Sequence, residues 1–161
     1  MNATFPNTRE PVLEARDLTK RYEDNNLALD HVNFTVSRGS VFALLGANGA
    51  GKTTTINLFL NFIEPSDGCA LVNNTAAHRE PMLVKNQLAY VSENVRLYSN
   101  FTALQNCEFF TRINGNNRYT RRDYRDVLRQ VGLQEESHDQ KLKTFSKGMR
   151  QKCGIAIAIL K

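Results

Sequence analysis

The stretch Val41-Phe42-Ala43-Leu44-Leu45-Gly46-Ala47-Asn48-Gly49-Ala50-Gly51-Lys52-Thr53-Thr54 decides the fold. Its first five residues are a continuous apolar run of strand length, the pattern of a strand buried on both faces. Glycines 46, 49 and 51 follow, and lacking a Cβ they let the backbone wrap closely around a ligand with its N–H groups turned inward. A lysine and three threonines then open a segment over 53–62 with helical apolar spacing. Strand, glycine-rich loop and helix start together read as a phosphate-binding loop. The helix start offers unpaired N–H groups and the positive end of its dipole to an anion. Lys52 supplies a mobile positive charge for β- and γ-phosphates, Thr53 a hydroxyl for Mg²⁺, and Thr54 a donor for the α-phosphate. Polyphosphate binding, with ATP as the ligand, is the expectation.

Working outward, 12–18 and 29–36 read as strands joined by a polar turn over 21–26, an antiparallel flap beside the main sheet. Residues 1–11 read as a loose start. Ser37-Arg38-Gly39-Ser40 reads as a turn and Ala70-Leu71-Val72 as a short strand. Pro81 opens a short helix, where its missing N–H does no harm. Residues 88–91 form a second candidate buried strand. Thr102 to Gln105 has the form T-x-x-Q, which predicts a capped helix from about 103 to 112. Another helix is expected over 121–131, ending at Gly132, and Ser146 is placed to cap a last one over 147–160. Strands alternating with helices give an α/β fold with a mainly parallel sheet.

The bulk composition of the 161 residues narrows the function classes. Hydrophobic residues make up 41% and charged residues 23%, an ordinary globular balance. The longest apolar run, Ile155 to Leu160, is far shorter than the about 20 residues that cross a bilayer. No basic stretch followed by an apolar core marks the start as a secretory signal, so a cytoplasmic location is expected. The net charge of +5 does not call for nucleic acid. The arginines 118, 121, 122, 125 and 129 are interleaved with Asp123 and Asp126, which reads as a solvated helix face or as a docking surface for an acidic partner. Cys69, Cys107 and Cys153 are too widely spaced for a disulfide framework or a zinc site. The three histidines show no metal-ligand spacing either.

Three further segments carry a family resemblance. The loop runs Gly46 to Thr54, Phe145-Ser146-Lys147-Gly148-Met149-Arg150-Gln151 opens the last helix, and Lys20-Arg21-Tyr22 follows the first strand. In this order and approximate spacing the chain resembles the nucleotide-binding subunit of ABC transporters, from residue 12 onward. The resemblance implies a phosphate-loop NTPase fold of ABC type. It has an incomplete parallel sheet, an N-terminal antiparallel β subdomain and a helical subdomain at about 98–145. It also implies that residues 1–161 are the N-terminal part of such a domain, with the strand carrying a Mg²⁺-binding Asp, a water-activating Glu and a histidine switch lying beyond Lys161. Poor hydrolysis by this chain alone is therefore expected.

Carried residue by residue, the resemblance implies that Tyr22 stacks on adenine. Gly46, Ala47, Asn48, Gly49, Ala50, Gly51, Lys52, Thr53 and Thr54 form the phosphate cradle. Ser146, Lys147, Gly148 and Met149 match the motif that caps the γ-phosphate of ATP held by a second subunit. Glu93 stands where the family usually has a glutamine near Mg²⁺ and the attacking water; a carboxylate is also able to ligate Mg²⁺, beside Thr53. Plainer readings stay open: a strand-end aromatic for Tyr22, a helix cap for Ser146 and a surface glutamate for Glu93. The implied partners are a transmembrane permease at the cytoplasmic face of the membrane and a second nucleotide-binding subunit, and the wording of the 93–98 and 146–152 segments is closer to exporter-type subunits. A non-catalytic module that regulates a complete subunit is the alternative. A kinase or GTPase fits less well, because no Asn-Lys-x-Asp base reader is present and the Ser146 segment would be unexplained.

Overall fold

The computed structural model describes residues 10–23 and 26–161. The expected loose start therefore lies outside the described residues except at its end. Two compact units divide the chain, residues 1–88 and 89–161, and each is described by itself.

In the first unit the strands β1 (Pro11–Arg21) and β2 (Leu27–Ser37) pair antiparallel. The polar turn expected between them includes residues 24 and 25, outside the described set, and beside them the Tyr22 N–H donates to the Asn26 carbonyl at 2.9 Å. Strand β3 (Asp67–Val72) pairs with the other edge of β1, and β4 (Thr75–Ala76) with β3. The sheet order is β2-β1-β3-β4. Residues Ala15, Leu18 and Leu29 of this sheet are buried with Leu58 and Phe59 of helix α1 (Lys52–Phe59). That cluster fixes α1, and with it the glycine loop, on the sheet. Helix α2 (Pro81–Gln87) starts at Pro81 and buries Val84 in the same cluster.

Two strand expectations fail. Residues 41–45 and 88–91 are in no strand, and every sheet pairing among the described residues is antiparallel, so the expected parallel sheet does not form. The physical reason is pairing. A strand between two neighbours needs both neighbours, and no described segment offers 41–45 a ladder. Val41 and Leu45 are accordingly exposed at 101% and 87%, while Phe42 stacks on Phe34 with ring centroids 5.2 Å apart.

The second unit is helical. Helix α3 (Ala103–Ile113) begins at the expected capping box, with Gln105 N–H on the Thr102 hydroxyl and Thr102 N–H on the Gln105 side chain. Helix α4 (Arg121–Gln130) begins at a second capping box, Thr120 with Asp123. It closes at Gly132, whose φ of +74° ends the turn. Helix α5 (Lys147–Ile159) is capped by Ser146. Leu104, Cys107, Leu128, Leu142, Phe145, Cys153 and Ala156 are buried together as the core of the three helices. The α4 arginines are largely matched by carboxylates: Arg121 and Arg125 hold Asp139, and Arg129 holds Asp126 and Glu135. No helix among the described residues is long and apolar enough to cross a membrane.

Candidate nucleotide-binding site

The glycine loop ends where α1 begins. Gly51 is the N-cap, at a φ of +79°, a conformation that L side chains rarely adopt. A Cβ there would lie 2.6 Å from both the Ala28 carbonyl oxygen and Leu29 Cδ2 of β2. The loop therefore approaches the strand as closely as backbone allows, and only glycine fits. Gly49 also has a positive φ, +85°, but faces open space.

No side chain caps α1. The Thr55 N–H bonds to the Gly51 carbonyl at 2.8 Å as the first helical bond, and the Thr55 hydroxyl, buried, donates to the same oxygen at 2.9 Å. The N–H groups of Lys52, Thr53 and Thr54 have no acceptor among the described residues. Such first-turn donors, backed by the helix dipole, suit an anion. The Lys52 ammonium folds back over the loop and donates to the carbonyls of Gly46 and Ala47, each at 2.6 Å. A cation held by two neutral carbonyls has room for stronger acceptors, and polyphosphate oxygens supply them. Ala50 N–H closes a turn on Ala47 at 3.2 Å around Asn48 and Gly49. The Thr53 hydroxyl is exposed and without a partner among the described residues, free to act as an oxygen ligand. On this observation the donor set fits a magnesium-bound polyphosphate.

Tyr22 lies beside the loop. Its hydroxyl is 3.4 Å from the Thr54 hydroxyl, and the Lys20 ammonium sits 5.4 Å above its ring, while Lys20 also donates to the Glu64 carbonyl at 2.8 Å. The ring remains partly exposed, at 38%. One residue here escaped the sequence reading. Thr55 anchors the loop end, and the run of three threonines was its only signal. Lys20, quoted with Tyr22 in the sequence, restrains the ring from the end of β1.

In the second unit the Ser146 hydroxyl accepts from Met149 N–H at 3.2 Å, which starts α5. Lys147 and Gly148 are exposed, and Met149 packs against the helical core. Glu93 is exposed and ion-paired with Lys147, Nζ to Oε1 2.9 Å. The hydrogen bond and charge of that ammonium hold the Glu93 carboxyl below the usual carboxylate range. Among the described residues, then, the geometry joins Glu93 to the Ser146 segment, a pairing with no signal in the sequence because the two lie far apart along it. Thr53 and Glu93 belong to different units.

A family model described as ABC transporter matches residues 29–161. The chain belongs to the ABC transporter family. Among ABC transporter relatives, the probable multidrug ABC transporter ATP-binding protein YbhF of Escherichia coli is 42% identical over 106 residues, 66% of this chain and 18% of that protein. The uncharacterized ABC transporter ATP-binding protein YhcH of Bacillus subtilis is 35% identical over 92% of this chain and 48% of its own length. The chain thus spans half or less of the length of these curated relatives. The solved structure of cbiO1 from Clostridium perfringens, part of the ABC transporter complex cbiONQ, superposes with a TM-score of 0.80 at 25% identity. That match covers 94% of this chain and 62% of that one. The ABC ATP-binding fold, with its antiparallel β part and its helices, is therefore the fold of this chain.

Proposed function

We propose that this chain is the ATP-binding part of an ABC transporter, and that it couples ATP binding and hydrolysis to movement of a substrate through a separate permease. One observation carries the reading: a glycine loop with free first-turn amides and an inward-folded lysine opens α1. When bound, MgATP supplies the phosphoryl group and the charge-neutralising metal. The chain's own residues do the rest. The free amides of Lys52, Thr53 and Thr54 hold the phosphates, and Lys52 exchanges the Gly46 and Ala47 carbonyls for phosphate oxygens. Thr53 provides a Mg²⁺ ligand and Tyr22 a face for adenine. Glu93 is proposed to lie near Mg²⁺ in the assembled protein. Its negative charge would oppose a phosphate, and the Lys147 ammonium offsets it. The α5 start at Ser146, Lys147, Gly148 and Met149 is proposed to meet the ATP of a second subunit, as an anion meets a helix N-terminus.

The proposed partners follow. A permease embedded in the membrane binds the protein at its cytoplasmic face, and a second nucleotide-binding subunit completes the paired sites. Export is the proposed direction, supported by the multidrug relative in E. coli. Equilibrium titration with ATP and Mg²⁺ tests the reading. Lys52→Ala removes a charge-assisted contact of about 1.5–3 kcal/mol, which is about ten- to a hundredfold in affinity. Unchanged affinity in that variant rejects the loop assignment.

A further inference from the structure

Three residues of α5 touch one short segment of the same unit. Lys147 donates to the Glu93 carboxylate at 2.9 Å, and the Gln151 side-chain amide donates to the Glu93 carbonyl at 3.4 Å. Gly154 is buried against the same segment: a Cβ on it would meet Val95 Cγ1 at 3.0 Å, Val95 Cγ2 at 3.1 Å and Val91 Cγ1 at 3.3 Å. The three lie four and then three residues apart, so they form one stripe along one helix face. The segment they hold has no strand or helix of its own, only a bend across which the Ser92 hydroxyl donates to the Asn94 carbonyl at 3.0 Å. Its shape is therefore borrowed from α5. An exposed ion pair by itself contributes little. A charge contact, a backbone contact and a close-packed glycine on one stripe together define a seat.

We infer that Lys147, Gln151 and Gly154 are positioning residues that seat the 91–95 segment on α5, so that Glu93 and the Ser146 helix start move as one rigid piece. The consequence for ATP chemistry rests on the proposed function, whereas the seat itself does not. A change of contacts at Glu93 is then carried directly to the start of α5, without passing through the helical core.

NMR of the full protein tests this, with Val methyls and Glu carboxyls labelled with carbon-13 and backbone amides with nitrogen-15. Contacts between the Val95 methyls and the Gly154 α-protons are expected both without and with MgATP. In the double variant Lys147→Met, Gln151→Ala, which alters only side chains near the surface, they are expected to weaken at least threefold. The Glu93 titration is expected to rise toward the ordinary glutamate value in Lys147→Met and to stay low in Lys147→Arg. When MgATP is added, Glu93 and the Ser146–Met149 amides are expected to shift together in the wild type and separately in the double variant. Missing contacts in the wild type, a Glu93 titration indifferent to Lys147, or loss of the contacts on adding MgATP would overturn the inference. If the contacts and the Lys147 dependence are found but MgATP shifts nothing, the seat stands and the nucleotide-binding proposal is what fails.

Discussion

A Cβ placed on Gly51 would sit 2.6 Å from Leu29 Cδ2, and 2.6 Å from the Ala28 carbonyl oxygen behind it. The carbonyl belongs to strand backbone and cannot step aside. Gly51→Ala therefore combines left-handed backbone strain with overpacking. The expected cost is about 2–5 kcal/mol in urea unfolding, from about 1–2 for the backbone and about 1–3 for the crowding. Gly49→Ala, with φ positive but nothing within 4 Å, is expected to cost only the backbone part, about 1–2 kcal/mol. Equal costs at the two positions would contradict the close approach of loop and strand.

Asn106 is fully buried, and its side chain ties down the turn before α3. Its Oδ1 accepts from Tyr98 N–H at 2.9 Å, and its Nδ2 donates to the Tyr98 and Thr102 carbonyls at 3.1 and 2.9 Å. Asn106→Leu strands the Tyr98 N–H, while the Tyr98 and Thr102 carbonyls keep the backbone N–H groups of residues 101 and 106. A loss of about 1–3 kcal/mol is expected by chemical denaturation, the cost of a single unsatisfied buried group. A loss below 1 kcal/mol would mean that water replaces the amide.

Asp139 titrates below the usual aspartate range because Arg125 hydrogen-bonds it, with Arg121 on its other oxygen. A carboxyl depressed in the folded state adds stability that is present above its unfolded pKa of about 3.9 and is lost as pH falls through the folded value. Asp139→Asn is therefore expected to be less stable than wild type at pH 7, with the gap closing below about pH 4. Thermal melts across pH check this, and a gap that widens in acid would contradict it.

Burial pushes the Cys107 and Cys153 thiols up to about 12, while Cys69 is only half-buried. Thiolates are the reactive form. Under native conditions a thiol reagent is expected to label Cys69 first and to reach the other two only on unfolding. Mass spectrometry of the labelled protein checks the order, and early labelling of Cys153 would mean that α5 opens readily.

Local chemistry made the helices legible. Thr102 with Gln105, Ser146, Pro81 and Gly132 each sit where the written signals put them. The Thr120–Asp123 box escaped because aspartate replaces the longer Glu or Gln of the usual pattern. Strand β4 is too short to leave a periodic trace. The apolar runs at 41–45 and 88–91 state what a strand would bury, but pairing needs neighbours far along the chain, and apolarity cannot provide them. The loop from Gly46 to Thr54 was legible because its chemistry is contiguous. The seat of Glu93 on Lys147, Gln151 and Gly154 was not, because it depends on tertiary packing between distant segments.

The amide shifts of residues 49–54 on adding MgATP, followed by nitrogen-15 NMR, test the central claim most directly. Large saturable shifts at Gly51, Lys52, Thr53 and Thr54, abolished in Lys52→Ala at the same ATP concentration, are predicted. Saturable ATP binding that leaves those four amides unmoved would contradict the account.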